Sequence, residues 1–156
     1  TLDGTLFPYT TLFRSTFKMK LLKFSKKERI YKFSDFQELT SKGNVLFCYP
    51  FRCIYLSYPS DCFQLKFAVS VSKKNFKLAV DRNRIKRLIR EAYRLQKNEI
   101  FAPLENQKNE ILFLIIYIEK KEIPFIIIRK QLNILLNRLV KINLKNDVKN
   151  INDNDN

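Results

Sequence analysis

Hydrophobic and polar positions change period several times along this 156-residue chain, and the changes mark its elements. In "LKFAVSVS", Leu65, Phe67, Val69 and Val71 alternate with Lys66, Ala68, Ser70 and Ser72. That is the two-residue period of a strand with one apolar face and one small, polar face. Two more runs rich in Phe, Tyr and Val precede it, with Pro50 and "PSDC" as separators. Three strands at 45–49, 51–58 and 64–72 are therefore predicted, paired as an antiparallel meander. Between 78 and 97 the period becomes helical, gathering Ile85, Leu88, Ile89, Ala92 and Leu95 on one stripe. A strand follows at 110–118. Pro124 then opens a second long helix to about 143, in which Ile128, Leu132, Leu135, Leu136 and Leu139 keep helical spacing.

Upstream, "SDFQELTSKG" reads as a short helix with Ser34 as N-cap, Gln37 completing a capping box and Gly43 as a left-handed stop. Residues 20–33, "KLLKFSKKERIYKF", form a basic arm, expected to be extended. Residues 1–18 have little charge and no period, so they are expected to be a non-native or disordered extension, with Met19 as a candidate start. A single domain is expected over 19–144, and a disordered tail rich in Asn and Asp over 145–156. The longest apolar run, "ILFLIIYI" at 111–118, falls short of the roughly 20 residues that cross a bilayer, so no membrane helix is expected.

Composition narrows the chemistry. Lys and Arg outnumber Asp and Glu 30 to 15, a net charge of +15, which points to a polyanionic partner. The absence of His removes the usual general base near neutral pH and the commonest metal ligand. Cys48, Cys53 and Cys62 are odd in number and have no fourth Cys or His to complete a zinc site. They read as plain thiols in a reducing, cytoplasmic setting.

The positive charge is concentrated. Opposite the apolar stripe of the 78–97 helix, Asn83, Lys86, Arg87, Arg90 and Arg94 converge on one side with Arg82 and Arg84 flanking, and only Glu91 opposes them beyond the first turn. Like charges at this spacing cost ~0.2–0.5 kcal/mol per pair, so the cluster opposes folding slightly and its purpose lies elsewhere. The planar Arg fork suits phosphate oxygens in pairs. Lys73, Lys74 and Lys77 add charge at a strand-to-helix connection, where backbone N–H groups also favour anions. The face reads as a phosphate-binding surface for structured RNA. No helix-turn-helix spacing points to DNA, and the apolar stripe is needed for the core, which leaves none to face a membrane.

The stretch "FAVSVSKKNFKLAVDRNRIKRLIREAYR" at 67–94, with its Arg82-Asn83-Arg84 core, closely resembles the signature of the bacterial ribonuclease P protein component family. The order of elements over about 30–142 also fits. The resemblance implies an α+β fold, a two-layer α/β sandwich in the order α-β-β-β-α-β-α with a left-handed βαβ crossover, like domain 2 of ribosomal protein S5. It implies a function too: the protein component of an endoribonuclease whose catalysis is carried by its RNA subunit. Such a protein binds the catalytic RNA and the 5′ leader of precursor tRNA, and assists magnesium-dependent removal of the leader, the Mg2+ being bound mainly by the RNA.

By position, the resemblance assigns Lys73, Lys74, Arg82, Asn83, Arg84, Lys86, Arg87 and Arg90 to the catalytic RNA, and Arg94 extends the same face. It places Phe36 and Tyr55 in a cleft between the first helix and the sheet that holds the leader, with Lys66 and Ser70 as the expected floor. Core packing is the alternative for Phe36, since Leu39 and Phe33 compete for the same role. Thr40 stands where the family often has a second aromatic. The rival function is a structural rRNA-binding protein of similar fold, which would need neither the full signature nor an aromatic cleft. A protein-only nuclease would need clustered carboxylates, and Asp35, Asp61 and Asp81 lie in different elements.

Overall fold

Each period change read in the sequence corresponds to an element in the computed structural model, which describes residues 24–154. Expectations for residues 1–18 and for Met19 lie outside the described residues. The elements are α1 (Phe33–Lys42), β1 (Asn44–Cys48), β2 (Phe51–Pro59), β3 (Gln64–Val71), α2 (Ala79–Phe101), β4 (Asn109–Tyr117) and α3 (Phe125–Asn154), with short 3-10 turns at Lys26–Glu28 and Ala102–Leu104. The order α-β-β-β-α-β-α is the one implied by the family resemblance.

The strands do not form a simple meander. Their spatial order is β1-β2-β4-β3; β4 inserts between β2 and β3, antiparallel to the first and parallel to the second. The cause lies in β4 itself. "ILFLIIY" is apolar at every position, so it is satisfied only where both faces are covered, at the centre of the sheet. Helix α2 then serves as the crossover that parallel neighbours require.

Both faces of the sheet carry a core. The larger, under α2 and α3, gathers Phe51, Cys53 and Tyr55 of β2, Phe67 and Val71 of β3, and Ile111, Phe113, Ile115 and Tyr117 of β4. At its centre Tyr93 of α2 is fully buried, with ring centroids 4.3 Å from Phe67 and 5.8 Å from Phe113. The smaller core lies under α1 and gathers Ile30, Leu39, Ile54, Leu112 and Leu114.

Several local expectations are corrected. Helix α1 begins at Phe33 with Lys32 as its cap residue, so Ser34 falls inside the first turn and no side-chain capping bond forms. Gly43 has φ −67° and ψ 144°, an extended rather than left-handed conformation. What calls for glycine there is space: a Cβ would lie 2.2 Å from the Leu39 carbonyl oxygen and 2.5 Å from Ile54 Cγ2. Leu95 is only half-buried, and α2 runs on to bury Ile100 and Phe101. Helix α3 continues to Asn154, well past the expected end near 143 and through most of the expected disordered tail. No Gly or Pro follows Pro124 to stop it.

The basic arm is not simply extended. Phe24 packs edge-on against Phe67 and Tyr93, the chain makes its 3-10 turn, and Arg29 then bridges to Phe67 at the outer edge of β3. At the far end of the sheet, Ile118 N–H donates to the Pro50 carbonyl (3.1 Å) and Asn75 Nδ2 to the Ile118 carbonyl (3.1 Å). These bonds tie together the β1–β2 turn, the end of β4 and the connection into α2. No described helix is long and apolar enough to cross a membrane.

Candidate RNA interface

The connection from β3 to α2 brings Lys73 and Lys74 to the surface, and Ser72 Oγ accepts from the Lys74 N–H at 3.1 Å. Arg82 folds back along it. Its Nη1 donates to the carbonyls of Phe76 (2.8 Å) and Lys77 (2.7 Å), so this guanidinium shapes the connection. Two other cations expected on the face are also engaged. Arg84 pairs with Glu122 at 3.1 Å, and Arg94 pairs with Glu91 at 2.5 Å. The Glu91 carboxyl is held below its ordinary range, chiefly by its hydrogen bond from Arg94.

Lys73, Lys74, Asn83, Lys86, Arg87 and Arg90 remain, with no side-chain hydrogen bond or ion pair among the described residues. Of these, Asn83, Arg87 and Arg90 are exposed along α2, and Lys86 is half-buried between them. The Arg90 guanidinium is held below the ordinary arginine range, first by desolvation and then by the nearby Arg29. The uncompensated surface therefore reaches beyond α2 to the arm.

The cleft expected from the sequence would lie on the opposite face of the sheet, where the strand register decides which side chains face α1. Phe47, Arg52, Ile116 and Ser70 form one transverse row across β1, β2, β4 and β3; Val45, Ile54, Leu114 and Ala68 form the next. Leu39 and Phe36 of α1 pack over Ile54, Leu112 and Leu114, while the Phe47 row stays open, with Phe47 57% exposed. Phe36 is half-buried at this cover and Phe33 is exposed, so Leu39 is the fully buried member of α1. Thr40 bonds back to the Phe36 carbonyl at 2.9 Å.

Tyr55 is not part of this cleft. It is 8% exposed and belongs to the larger core on the other side of the sheet. Lys66 does line the α1 face, but its ammonium is 2.6 Å from Glu110 and 3.8 Å from Asp35. The hydrogen bond to Glu110 is the main reason its pKa is raised, and the charge is already matched. Ser70 is half-buried in the open row. Tyr58 points to the same face, its hydroxyl pushed up to about 12, first by burial and then by the Glu38, Asp35 and Glu110 carboxylates. Among the described residues, no three of His, Cys, Asp and Glu are grouped to share a metal ion.

With this geometry in place, the ribonuclease P family pattern matches residues 24–140, spanning the arm, both sheet faces and α2. The chain belongs to the ribonuclease P family. It is 39% identical over 85 residues to the ribonuclease P protein component of Porphyromonas gingivalis, covering 54% of this chain and 62% of that protein. To the Chlorobium phaeobacteroides protein component it is 37% identical over 77 residues, 45% of this chain and 53% of that protein. The matched region thus spans less than two thirds of the length of these relatives. The fold is similar to that of the Staphylococcus aureus RNase P protein, with a TM-score of 0.52 at 30% identity over 71% of this chain and 94% of that one. It is also similar to the Thermotoga maritima RNase P protein, with a TM-score of 0.56 at 25% identity over 71% and 96%.

Within this ribonuclease P family member, the sequence reading found the basic face of α2 but missed two features. Arg29 approaches Arg90 only because the arm folds against β3, a contact with no local pattern in the sequence. The open row is different, because Arg52 signalled it. In "FRCIYLSY" Arg52 shares a face with Ile54 and Leu56, and a charged side chain marks the more open side of a strand buried on both.

Proposed function

We propose that this chain is the protein subunit of ribonuclease P, binding a catalytic RNA through α2 and the 5′ leader of precursor tRNA along the open part of the α1 face. The observation that carries the reading is the set Lys86, Arg87 and Arg90. These cations lack any carboxylate partner among the described residues, yet lie on a rigid helix inside the region that matches the family. Unpaired, preorganised guanidinium groups are what phosphate recognition requires. Lys73, Lys74 and Asn83 extend the surface toward the end of the sheet where the open row lies. Arg82, Arg84 and Arg94 act chiefly in holding that surface in shape.

On this reading the RNA carries the catalysis together with the Mg2+ that it binds, and the protein supplies binding and orientation. Phe36 and Ser70 remain leader contacts, joined by Phe47 and Arg52 of the open row. A base stacked on an exposed ring gains ~1–3 kcal/mol with little sequence preference, which suits leaders of variable sequence. The reading puts the protein in the cytoplasm, consistent with three free thiols.

The test is the salt dependence of binding to a bacterial ribonuclease P RNA. Arg87→Ala is expected to reduce the slope of log affinity against log salt by about 0.9, the contribution of one duplex phosphate contact. An unchanged slope for both Arg87→Ala and Arg90→Ala would mean that the face is merely solvated.

A further inference from the structure

The amino-terminal arm passes around the outer edge of β3 and joins the two surfaces. Phe24 packs on the α2 side, with ring centroids 5.7 Å from Tyr93 and 5.9 Å from Phe67, whereas Ile30 is buried on the α1 side. Between them the chain is pinned. Ile30 N–H donates to the Phe67 carbonyl at 3.3 Å, Ser25 Oγ donates to Glu28 at 3.3 Å, and Glu28 in turn holds Lys97 at 2.5 Å. The Arg29 guanidinium lies 5.2 Å above the centroid of the Phe24 ring.

Around this fixed corner lies an open pocket of about 420 Å³, lined among the described residues by Lys26, Lys27, Arg29 and Tyr31. Three of the four are cations, and the carboxylate of this segment, Glu28, is turned away to Lys97. Tyr31 is 75% exposed. Arg90 approaches from α2, and its pKa is lowered first by desolvation and then by the nearby charge of Arg29. Repulsion between two guanidinium groups is relieved by an anion placed between them. The pocket volume is in the range of small-ligand sites, roughly 300–1,000 Å³, and an accessible aromatic beside cations is the combination that binds single-stranded nucleic acid.

We propose that this pocket is a nucleotide subsite for single-stranded RNA, in which Lys26, Lys27 and Arg29 hold phosphates and one base stacks on Tyr31. It rests on the RNA-binding reading above and adds a third contact region, at the β3 edge between the α2 face and the α1 face. A strand leaving one surface for the other passes this corner, so the subsite fixes its path.

The test uses the full chain and fluorescein-labelled pentauridylate followed by anisotropy. Tyr31→Ala, at an exposed position, is expected to melt like the parent and to bind roughly five-fold or more weakly, the loss of one stacked base. Arg29→Gln is expected to lower the salt slope by about 0.7, the single-strand value for one contact, and Arg29→Lys to restore it. With 4-thiouridine in the oligonucleotide, photo-crosslinks should fall on the peptide that contains Tyr31. Unchanged binding by Tyr31→Ala, or displacement of the RNA by hexaglutamate at equal concentration, overturns the subsite. Stimulation of a ribonuclease P RNA by the parent chain is measured alongside. If it is present while Tyr31→Ala and Arg29→Gln bind pentauridylate normally, only the subsite fails. If it is absent while both variants bind weakly, the subsite stands and the assignment as a ribonuclease P subunit fails.

Discussion

Tyr55 and Ile54, adjacent on β2, face opposite sides of the sheet: Tyr55 lies in the core beneath α2 and α3, and Ile54 in the smaller core beneath α1. Tyr55 is therefore a packing residue rather than a ring waiting for a base. Tyr55→Ala is expected to lower the unfolding free energy by ~3–5 kcal/mol, the usual cost of removing a buried aromatic. Urea denaturation checks this. A stable variant with a selective loss of precursor tRNA binding would return Tyr55 to the cleft.

The two arginines of the basic helix that differ most in their partners should separate folding from binding. Arg82 bonds two backbone carbonyls, so Arg82→Ala is expected to cost about 1 kcal/mol of stability, the value for a charged hydrogen bond discounted for partial exposure. Arg87→Ala should stay within ~0.5 kcal/mol of the parent. Thermal melts of the two variants make the comparison, and equal melting temperatures would remove the structural role given to Arg82.

Gly43→Ala tests the close approach of α1 to β2. At a backbone conformation open to alanine, this exchange normally stabilises by ~0.4–1 kcal/mol. Here the added Cβ meets the Leu39 carbonyl oxygen and the Ile54 side chain. The sign is expected to reverse, to a loss of ~1–3 kcal/mol from overpacking. Chemical denaturation of the single variant gives the sign directly.

The cysteines offer a test of the larger core by chemistry. Cys62 is exposed while Cys48 and Cys53 are buried, and burial pushes the Cys53 thiol far up from its ordinary pKa. Iodoacetamide should modify the native protein once, at Cys62, and the unfolded protein three times. Raising the pH toward 9 should not bring Cys53 into reaction, because its folded-state thiol stays protonated there. Modification of Cys53 in the native state, read by mass spectrometry, would contradict the core assignment.

Much of the fold was legible because local pattern and tertiary role agreed. Ile85, Ile89 and Ala92 on α2, and Leu132, Leu135, Leu136 and Leu139 on α3, repeat at helical spacing and are buried as that spacing requires. The basic face was legible for the converse reason, since single-signed charge at that spacing has no core use. What was not legible depended on partners distant in sequence. Alternation in β2 gives two faces but not their identity, and both are covered, so Tyr55 was assigned to the wrong side. The insertion of β4 between β2 and β3 follows from long-range pairing. The commitment of Arg82 and Arg84 to structure likewise depends on Phe76, Lys77 and Glu122, whose positions only the folded chain defines.

The central claim is tested most directly by reconstitution. The purified full chain is added to a bacterial ribonuclease P RNA at magnesium concentrations too low for the RNA to act well alone, and cleavage of precursor tRNA at the mature 5′ end is followed. The account predicts that the chain by itself leaves precursor tRNA intact, that it accelerates cleavage by the RNA, and that Arg87→Ala combined with Arg90→Ala abolishes the acceleration while the variant remains folded. Cleavage by the RNA that is no faster with the parent chain than without it would contradict the assignment.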